Sequence, residues 1–378
     1  MAEPFKNLLN AALVHQAAAH LLRAWPGFDK TRFIRLASKG LDALELKARA
    51  MQICDALQAT LPADFAQAAD AIEAALAPAP PGDDPAVQAA MADDGLRGWV
   101  LWPLGEFVAR EGLAQPQRAL ACLHALTQRF TAEFALRPFI VAHPELSFAT
   151  LARWCHDDSA HVRRLVSEGS RPRLPWGLRL HALVSNPSPA LPLLRALQDD
   201  PSAYVRRSVA NHLNDIAKDH PAIVCDWVEA HLPAASPDRK LLLRHASRTL
   251  IKAGDLRMLR AWGLGQPFRG QATLHLAPSA LHVGEAFTFT LHLQSRAAKA
   301  QKLAIDYVVH HVKAGGHTTP KVFKGWQTSL PAHGELQLGK RHSMREITTR
   351  RYHAGLHGLV VQINGRQVAE ASFELLAA

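Results

Sequence analysis

The string His156-Asp157-Asp158-Ser159-Ala160-His161-Val162-Arg163-Arg164-Leu165-Val166 returns as Gln198-Asp199-Asp200-Pro201-Ser202-Ala203-Tyr204-Val205-Arg206-Arg207-Ser208-Val209, a shift of 43 residues from Val162 to Val205. Self-similarity at that period marks stacked two-helix units, because one such unit cannot bury its apolar face without a neighbour to cover it. A weaker copy, Leu242-Leu243-Arg244-His245-Ala246, follows after a further 37 residues. From Leu8 to about Trp262 apolar residues recur at three- and four-residue spacing, punctuated by Gly and Pro, as amphipathic helices require. The proline-rich segment Ala77–Pro85 cannot be helical and is expected to form an exposed connection. Residues 1–265 are therefore predicted to form an all-α, HEAT-like superhelical solenoid.

After Gly263-Leu264-Gly265-Gln266-Pro267 the apolar period changes from 3.6 to 2. In Phe287-Thr288-Phe289-Thr290-Leu291-His292-Leu293 large apolar residues alternate with polar ones, and Leu303, Ile305, Tyr307 and Val309 do the same. Leu359–Ile363 runs through Asn364-Gly365 into Arg366–Leu375, the signature of a hairpin closed by a type I′ turn. Residues 266–378 are predicted to form an all-β immunoglobulin-like sandwich, without the cysteine pair of antibody domains.

Charge separates the two regions further. The chain of 378 residues carries a net charge of +10, yet residues 1–150 hold 13 Lys/Arg against 16 Asp/Glu, and residues 266–378 hold 13 against 6. Such polarity points to an anionic partner, and the absence of a long apolar run favours nucleic acid over lipid. No membrane association is expected. His15, Gln16 and His20 interrupt the first apolar run, so a secretory signal is not expected either, and the chain is expected in the cytoplasm. Cys54, Cys122, Cys155 and Cys225 are widely spaced, and no HExxH, GxGxxG or phosphate-loop motif occurs. His310-His311 falls on a predicted strand with no ligand partner at metal spacing. Neither metal nor cofactor is expected.

The repeat shifts align Arg164, Arg207 and Arg244 in one row, and Glu168, Asn211 and Arg248 in a second, one helical turn on. Such a row could follow a phosphate backbone; the plain alternative is a set of solvated i,i+4 ion pairs. Within the middle copy Val205, Val209, Leu213 and Ile216 make the predicted buried stripe, while Arg207, Asn211 and Asp215 line another face. Between the two clear copies lies Ser167-Glu168-Gly169-Ser170-Arg171-Pro172-Arg173-Leu174-Pro175-Trp176-Gly177, a proline-stiffened basic loop whose tryptophan either fills a core or offers its face to a ligand.

That loop, together with Asn214-Asp215-Ile216-Ala217-Lys218-Asp219-His220-Pro221 and Phe130–Ile140, resembles the AlkC branch of the AlkC/AlkD-like DNA alkylation-repair glycosylases, which are HEAT-like solenoids. The immunoglobulin-like region is similar to one that a subgroup of this branch carries. The resemblance implies that Asp215 is the catalytic carboxylate, that Glu168 and Glu133 are acidic residues around the lesion, and that Trp176 lies beside the deoxyribose. It implies DNA-backbone contacts for Arg164 and Arg171, to which the basic loop adds Arg173, the rows add Arg207, Arg244 and Arg248, and the turn beyond Asp215 adds Lys218. The AlkD branch has a tryptophan four residues before its aspartate; here Asn211 stands there, which favours AlkC-type geometry.

The implied activity is that of a monofunctional glycosylase excising cationic N-alkylated bases from duplex DNA, 3-methyladenine foremost and 3-methylcytosine with it. A base that already carries positive charge leaves as a neutral heterocycle and needs no general acid. What remains is an oxocarbenium-like sugar and a water, which one carboxylate can stabilise and orient. Lys218 one turn beyond Asp215 suggests a Schiff-base lyase, and more simply a phosphate contact or solvent-facing residue. The sandwich is expected to touch DNA through Lys313, Lys321 and Lys324 in one group of loops and strand ends, and Lys340, Arg341, Arg345, Arg350 and Arg351 in another. The alternative is a non-enzymatic HEAT-repeat scaffold binding nucleic acid or protein. No obligate protein partner is implied.

Overall fold

The computed structural model describes residues 4–89, 93–347 and 351–377; Arg350 lies outside them. Helices occupy the chain as far as Ala261, and eight strands follow from Gly270. No described helix is long and apolar enough to cross a membrane. By internal contacts the chain divides into two compact units: Met1–Asp219 with Ala235–Ala246, and His220–Ala234 with Ser247–Ala378. The helices Pro221–His231, Arg248–Ala253 and Leu256–Ala261 thus belong by contact with the strands.

In the helical unit the repeated string performs the same local work twice. Asp157 and Asp200 each accept a hydrogen bond from the backbone N–H of the serine two residues on, Ser159 and Ser202, both at 2.8 Å. These turns start the helices Ala160–Gly169 and Ala203–Ile216, which pack against each other. Arg163 and Arg206 curl back to donate to backbone carbonyls ahead of their helices, to Asp157 and Asp158 in one copy and Asp200 and Pro201 in the other. Each also reaches the next copy: Arg163 Nε lies 2.6 Å from Asp200 Oδ2, and Arg206 Nη2 lies 3.0 Å from Asp238 Oδ2. The first arginine of each Arg-Arg pair therefore ties one repeat to the next. Val205, Val209, Leu213 and Ile216 are buried as their spacing predicts.

The Ala77–Pro85 connection departs from expectation at its start. Ala77 is fully buried and its N–H donates to the Leu96 carbonyl, and further on Asp83 accepts from Ser202 Oγ.

The eight strands are β1 (Gly270–Ala277), β2 (Ala280–His282), β3 (Ala286–Ser295), β4 (Gln301–Val312), β5 (Thr318–Leu330), β6 (Glu335–Ser343), β7 (Gly355–Ile363) and β8 (Arg366–Leu376). They form one sheet in the order β1-β3-β6 and another in the order β2-β8-β7-β4-β5. The period-two residues of β3 and β4, Phe287 to Leu293 and Leu303 to Val309, face a common core with Leu359, Val361 and Phe373. Asn364 at φ +51° and Gly365 at φ +75° close the β7–β8 hairpin, the pair of positive angles a type I′ turn demands. The basic residues of this unit differ from expectation in place: Lys321 and Lys324 lie within β5, and Lys340 and Arg341 within β6, rather than in loops or at strand ends. β5 is a sheet edge, where lysines also discourage pairing with a foreign strand.

Candidate active site

Three carboxylates predicted from sequence come together in the helical unit, joined by three predicted cations. Glu133 sits in the first turn of the helix Glu133–Ala142, where the helix dipole favours negative charge. Glu168 and Asp215 sit in the last turns of the helices Ala160–Gly169 and Ala203–Ile216, where the same dipole disfavours it. Both are nearly inaccessible, at 6% and 1% exposure, so their charge must be offset by partners rather than by water.

Those partners alternate with them. Arg164 Nη1 donates to Glu133 and to Thr131 Oγ1, and its Nη2 lies 3.5 Å from Glu168 Oε1. Arg171 Nη1 donates to Glu168 Oε1 at 2.7 Å, while its Nε and Nη2 both lie 2.8 Å from Asp215 Oδ2. Lys218 Nζ donates to Asp215 Oδ1 at 2.8 Å, and Ser208 Oγ to Glu168 Oε2 at 2.7 Å. The series Glu133, Arg164, Glu168, Arg171, Asp215, Lys218 thus runs minus to plus without a break. Burial alone would raise the Glu168 carboxyl, yet the guanidinium groups of Arg164 and Arg171 and the Ser208 hydroxyl hold it below the usual carboxylate range. Arg164 is itself covered by the Tyr204 ring, 5.2 Å from its Cζ.

The loop after Gly169 carries the aromatic residue. Trp176 is 77% exposed and adopts φ +63°, a left-handed conformation that bulky side chains avoid. It does not fill a core. A large apolar face held out to solvent on a costly backbone is a feature of binding surfaces. Arg173 in the same loop makes a two-pronged contact with Asp219 at 2.6 Å through each of Nε and Nη2.

The arginine row is brought together only in part. Arg164 is enclosed, Arg207 is exposed with no ion pair among the described residues, and Arg244 is half-buried. The difference has a local cause: the residue corresponding to Tyr204 in the next copy is Leu241, itself exposed, so nothing covers Arg207. Arg164 and Arg171 accordingly stand inside the carboxylate series rather than on an open face. Arg248 is exposed and belongs to the other compact unit.

Sequence reasoning singled out neither His212 nor Arg137. His212 is fully buried and its Nδ1 hydrogen-bonds the Ser167 carbonyl at 2.9 Å, linking the Asp215 helix to the backbone beside Glu168. Burial pushes its imidazole down to about 4, so it is neutral near pH 7 and donates through Nδ1. Arg137, fully buried, lay within the Phe130–Ile140 string but carried no periodic signal.

The family described as "Uncharacterised protein YhaZ, C-terminal Ig-like domain" matches residues 271–377. The chain is 35% identical over 376 residues to the uncharacterized protein YhaZ of Bacillus subtilis strain 168, covering 98% of this chain and 99% of that protein. Among solved structures, the Pseudomonas fluorescens alkylpurine DNA glycosylase AlkC, bound to DNA containing an abasic site analog, superposes with a TM-score of 0.89 at 34% identity, covering 99% of this chain and all of that one.

Proposed function

Because this chain belongs to the YhaZ family and to the AlkC branch of the AlkC/AlkD-like HEAT-repeat proteins, we propose that it is a DNA glycosylase excising cationic N-alkylated bases from duplex DNA. The observation that carries this reading is the alternating charge series that encloses Asp215, beside a loop that holds Trp176 out to solvent.

In the proposed reaction the C1′–N bond of 3-methyladenine or 3-methylcytosine breaks, and its electron pair neutralises the departing base. Water adds at C1′ and loses a proton to solvent, leaving an intact abasic site. Asp215 stabilises the positive charge that develops on the sugar and orients the water. Its position at a helix C-terminus makes a nearby cation more welcome there than at a solvated carboxylate. Lys218, with its side chain 42% exposed while that of Asp215 is buried, is the partner of Asp215 that a DNA phosphate can reach and draw away from Oδ1. Arg171 stays on Oδ2 and keeps the carboxylate in place. Glu168 and Glu133 extend the negative field, and the Trp176 face favours the cationic sugar or base. The Lys218 amino group is engaged with Asp215 rather than set in an apolar pocket, which supports hydrolysis over Schiff-base chemistry. Arg173, Arg207, Arg244 and Arg248, with the basic residues of the sandwich, supply backbone contacts.

Purified protein incubated with methylated DNA should release free 3-methyladenine, resolved by chromatography, and borohydride should trap no protein–DNA adduct. Asp215→Asn should lower single-turnover excision by at least about 100-fold with DNA affinity nearly unchanged, the scale of removing one electrostatic stabiliser of the transition state. Release of no free base by the parent protein would favour a nucleic-acid-binding scaffold instead.

A further inference from the structure

The helix Glu133–Ala142 bears a buried cation that the proposed chemistry leaves unused. Arg137 is 0% exposed. Its Nη1 donates to the Gly169 carbonyl at 2.8 Å and its Nε to the Leu178 carbonyl, while Nη2 meets no acceptor. No carboxylate pairs with it among the described residues. Burial, with the Arg171 charge, pushes this guanidinium down, and Asp215, Glu133 and Glu168 offset that only through space; burying it with no carboxylate in contact is costly, so the two carbonyls must matter to the fold or to the site.

Their location decides between these. Gly169 ends the helix that carries Glu168, where carbonyls lack helical partners, and Leu178 follows Trp176-Gly177. The two hydrogen bonds therefore bracket the loop bearing Arg171, Arg173 and Trp176. The loop also rests directly on Arg137: a Cβ at Gly177 would stand 3.3 Å from both Arg137 Cδ and Nε. Trp176 holds its left-handed backbone with its indole in solvent, so side-chain packing does not secure that conformation. What secures it is backbone: Gly177 N–H to the Leu174 carbonyl, Leu180 N–H to the Pro172 carbonyl, and Arg137 across both ends. A planar fork can hold two carbonyls at a set spacing, whereas an ammonium is a single point of charge.

We propose that Arg137 is a positioning residue, a buried clip that sets the backbone of Trp176 relative to Arg171 and, through Arg171, to Asp215. Its role in excision rests on the glycosylase reading; its hold on the loop does not. Arg49 is the contrast. It too is buried, with its donors on the Lys6, Leu9, Asp42 and Leu44 carbonyls, none of them in the charge series.

The test combines Arg137→Met, Arg137→Lys, Trp176→Ala, the Arg137→Met/Trp176→Ala double variant and Arg49→Met in the full chain. Hydrogen exchange at the Gly177 and Leu180 amides should quicken at least about tenfold in Arg137→Met while the repeat helices keep their protection. Single-turnover excision of 3-methyladenine at saturating DNA should fall at least about tenfold, as displacement of a reacting surface does. In the double variant the losses should not multiply, because both changes remove one function. Arg137→Lys should lie between parent and Arg137→Met in both readouts, and it decides the matter by the same measures should Arg137→Met fail to fold. Arg49→Met should lower stability and leave excision by the folded protein unchanged. Unchanged exchange at Gly177 and Leu180, or losses that multiply in the double variant, or an equal loss of excision in Arg49→Met, would overturn the proposal. A parent protein that releases no base would sink the glycosylase reading, and the exchange measurement would then decide Arg137 by itself.

Discussion

The two compact units bury different things. In the helical unit Glu133, Arg137, Glu168, Arg171 and Asp215 are all enclosed, whereas among the described residues of the sandwich no Asp, Glu, Lys or Arg is buried. The sandwich closes over Phe287, Phe289, Leu291, Val309, Val361 and their neighbours, and its lysines and arginines stay at the surface. Both units fold around apolar stripes, so the charges inside the helical unit are not needed to make a core. A buried ion-pair series is expensive and geometrically demanding, and it persists where chemistry uses a field of fixed direction.

The sharpest way to break this comparison is to remove one link of the series. Arg171→Met leaves Glu168 and Asp215 without their shared partner, and unfolding by urea should show a loss of about 3–5 kcal/mol, the cost of an uncompensated buried charge. A loss within about 0.5 kcal/mol, ordinary for a surface change, would mean that the series adds nothing to the stability of its unit.

A smaller effect follows from buried histidine. His212 is held down to about 4, well under the unfolded value of 6.5, so between those values the unfolded chain takes up a proton that the folded chain refuses. Stability therefore rises with pH across that window and is lost as the solution is acidified, by about 1.4 kcal/mol for each unit per group. His212→Gln should flatten the acid limb by about one proton when unfolding midpoints at pH 7 and pH 5 are compared. Parallel limbs for parent and variant would refute the burial argument. His357 in the sandwich, lowered mainly by burial, has the same sign, so acid should weaken both units.

The smallest effect lies on the sandwich surface. Replacing exposed Lys321 and Lys324 of β5 by alanine should change stability by no more than about 0.5 kcal/mol. If they meet phosphates, the slope of log affinity against log salt should fall by about 0.9 for each phosphate no longer neutralised. An unaltered slope would leave these lysines as guards of a sheet edge, and the contrast between a chemical unit and a DNA-gripping unit would fail.

Periodicity made much of this protein legible. The alternation in β3 and β4, the Asn364-Gly365 turn and the stripe from Val205 to Ile216 are local patterns, and each folds as the pattern demands because burial follows the period of the backbone. The repeat at 43 residues likewise foretold stacked helices, and the string around Asp215 marked a residue that the structure buries among cations. Which charges meet was beyond local pattern. Arg171 lies 44 residues from Asp215, and Arg137 lies 41 from the Leu178 carbonyl. Arg163 and Arg206, adjacent to the arginines read as a phosphate-binding row, spend their charge on tying repeats together. One step along the helix turns a side chain about a quarter of the way round, and only the neighbouring helix decides whether the arginine there meets a carboxylate, a ring or water. Composition and period thus determined the two folds and where helix gives way to strand. The assembled helices alone decided that Arg164 and Arg171 are inner partners of carboxylates, and that Trp176 stands in solvent on a backbone held from behind.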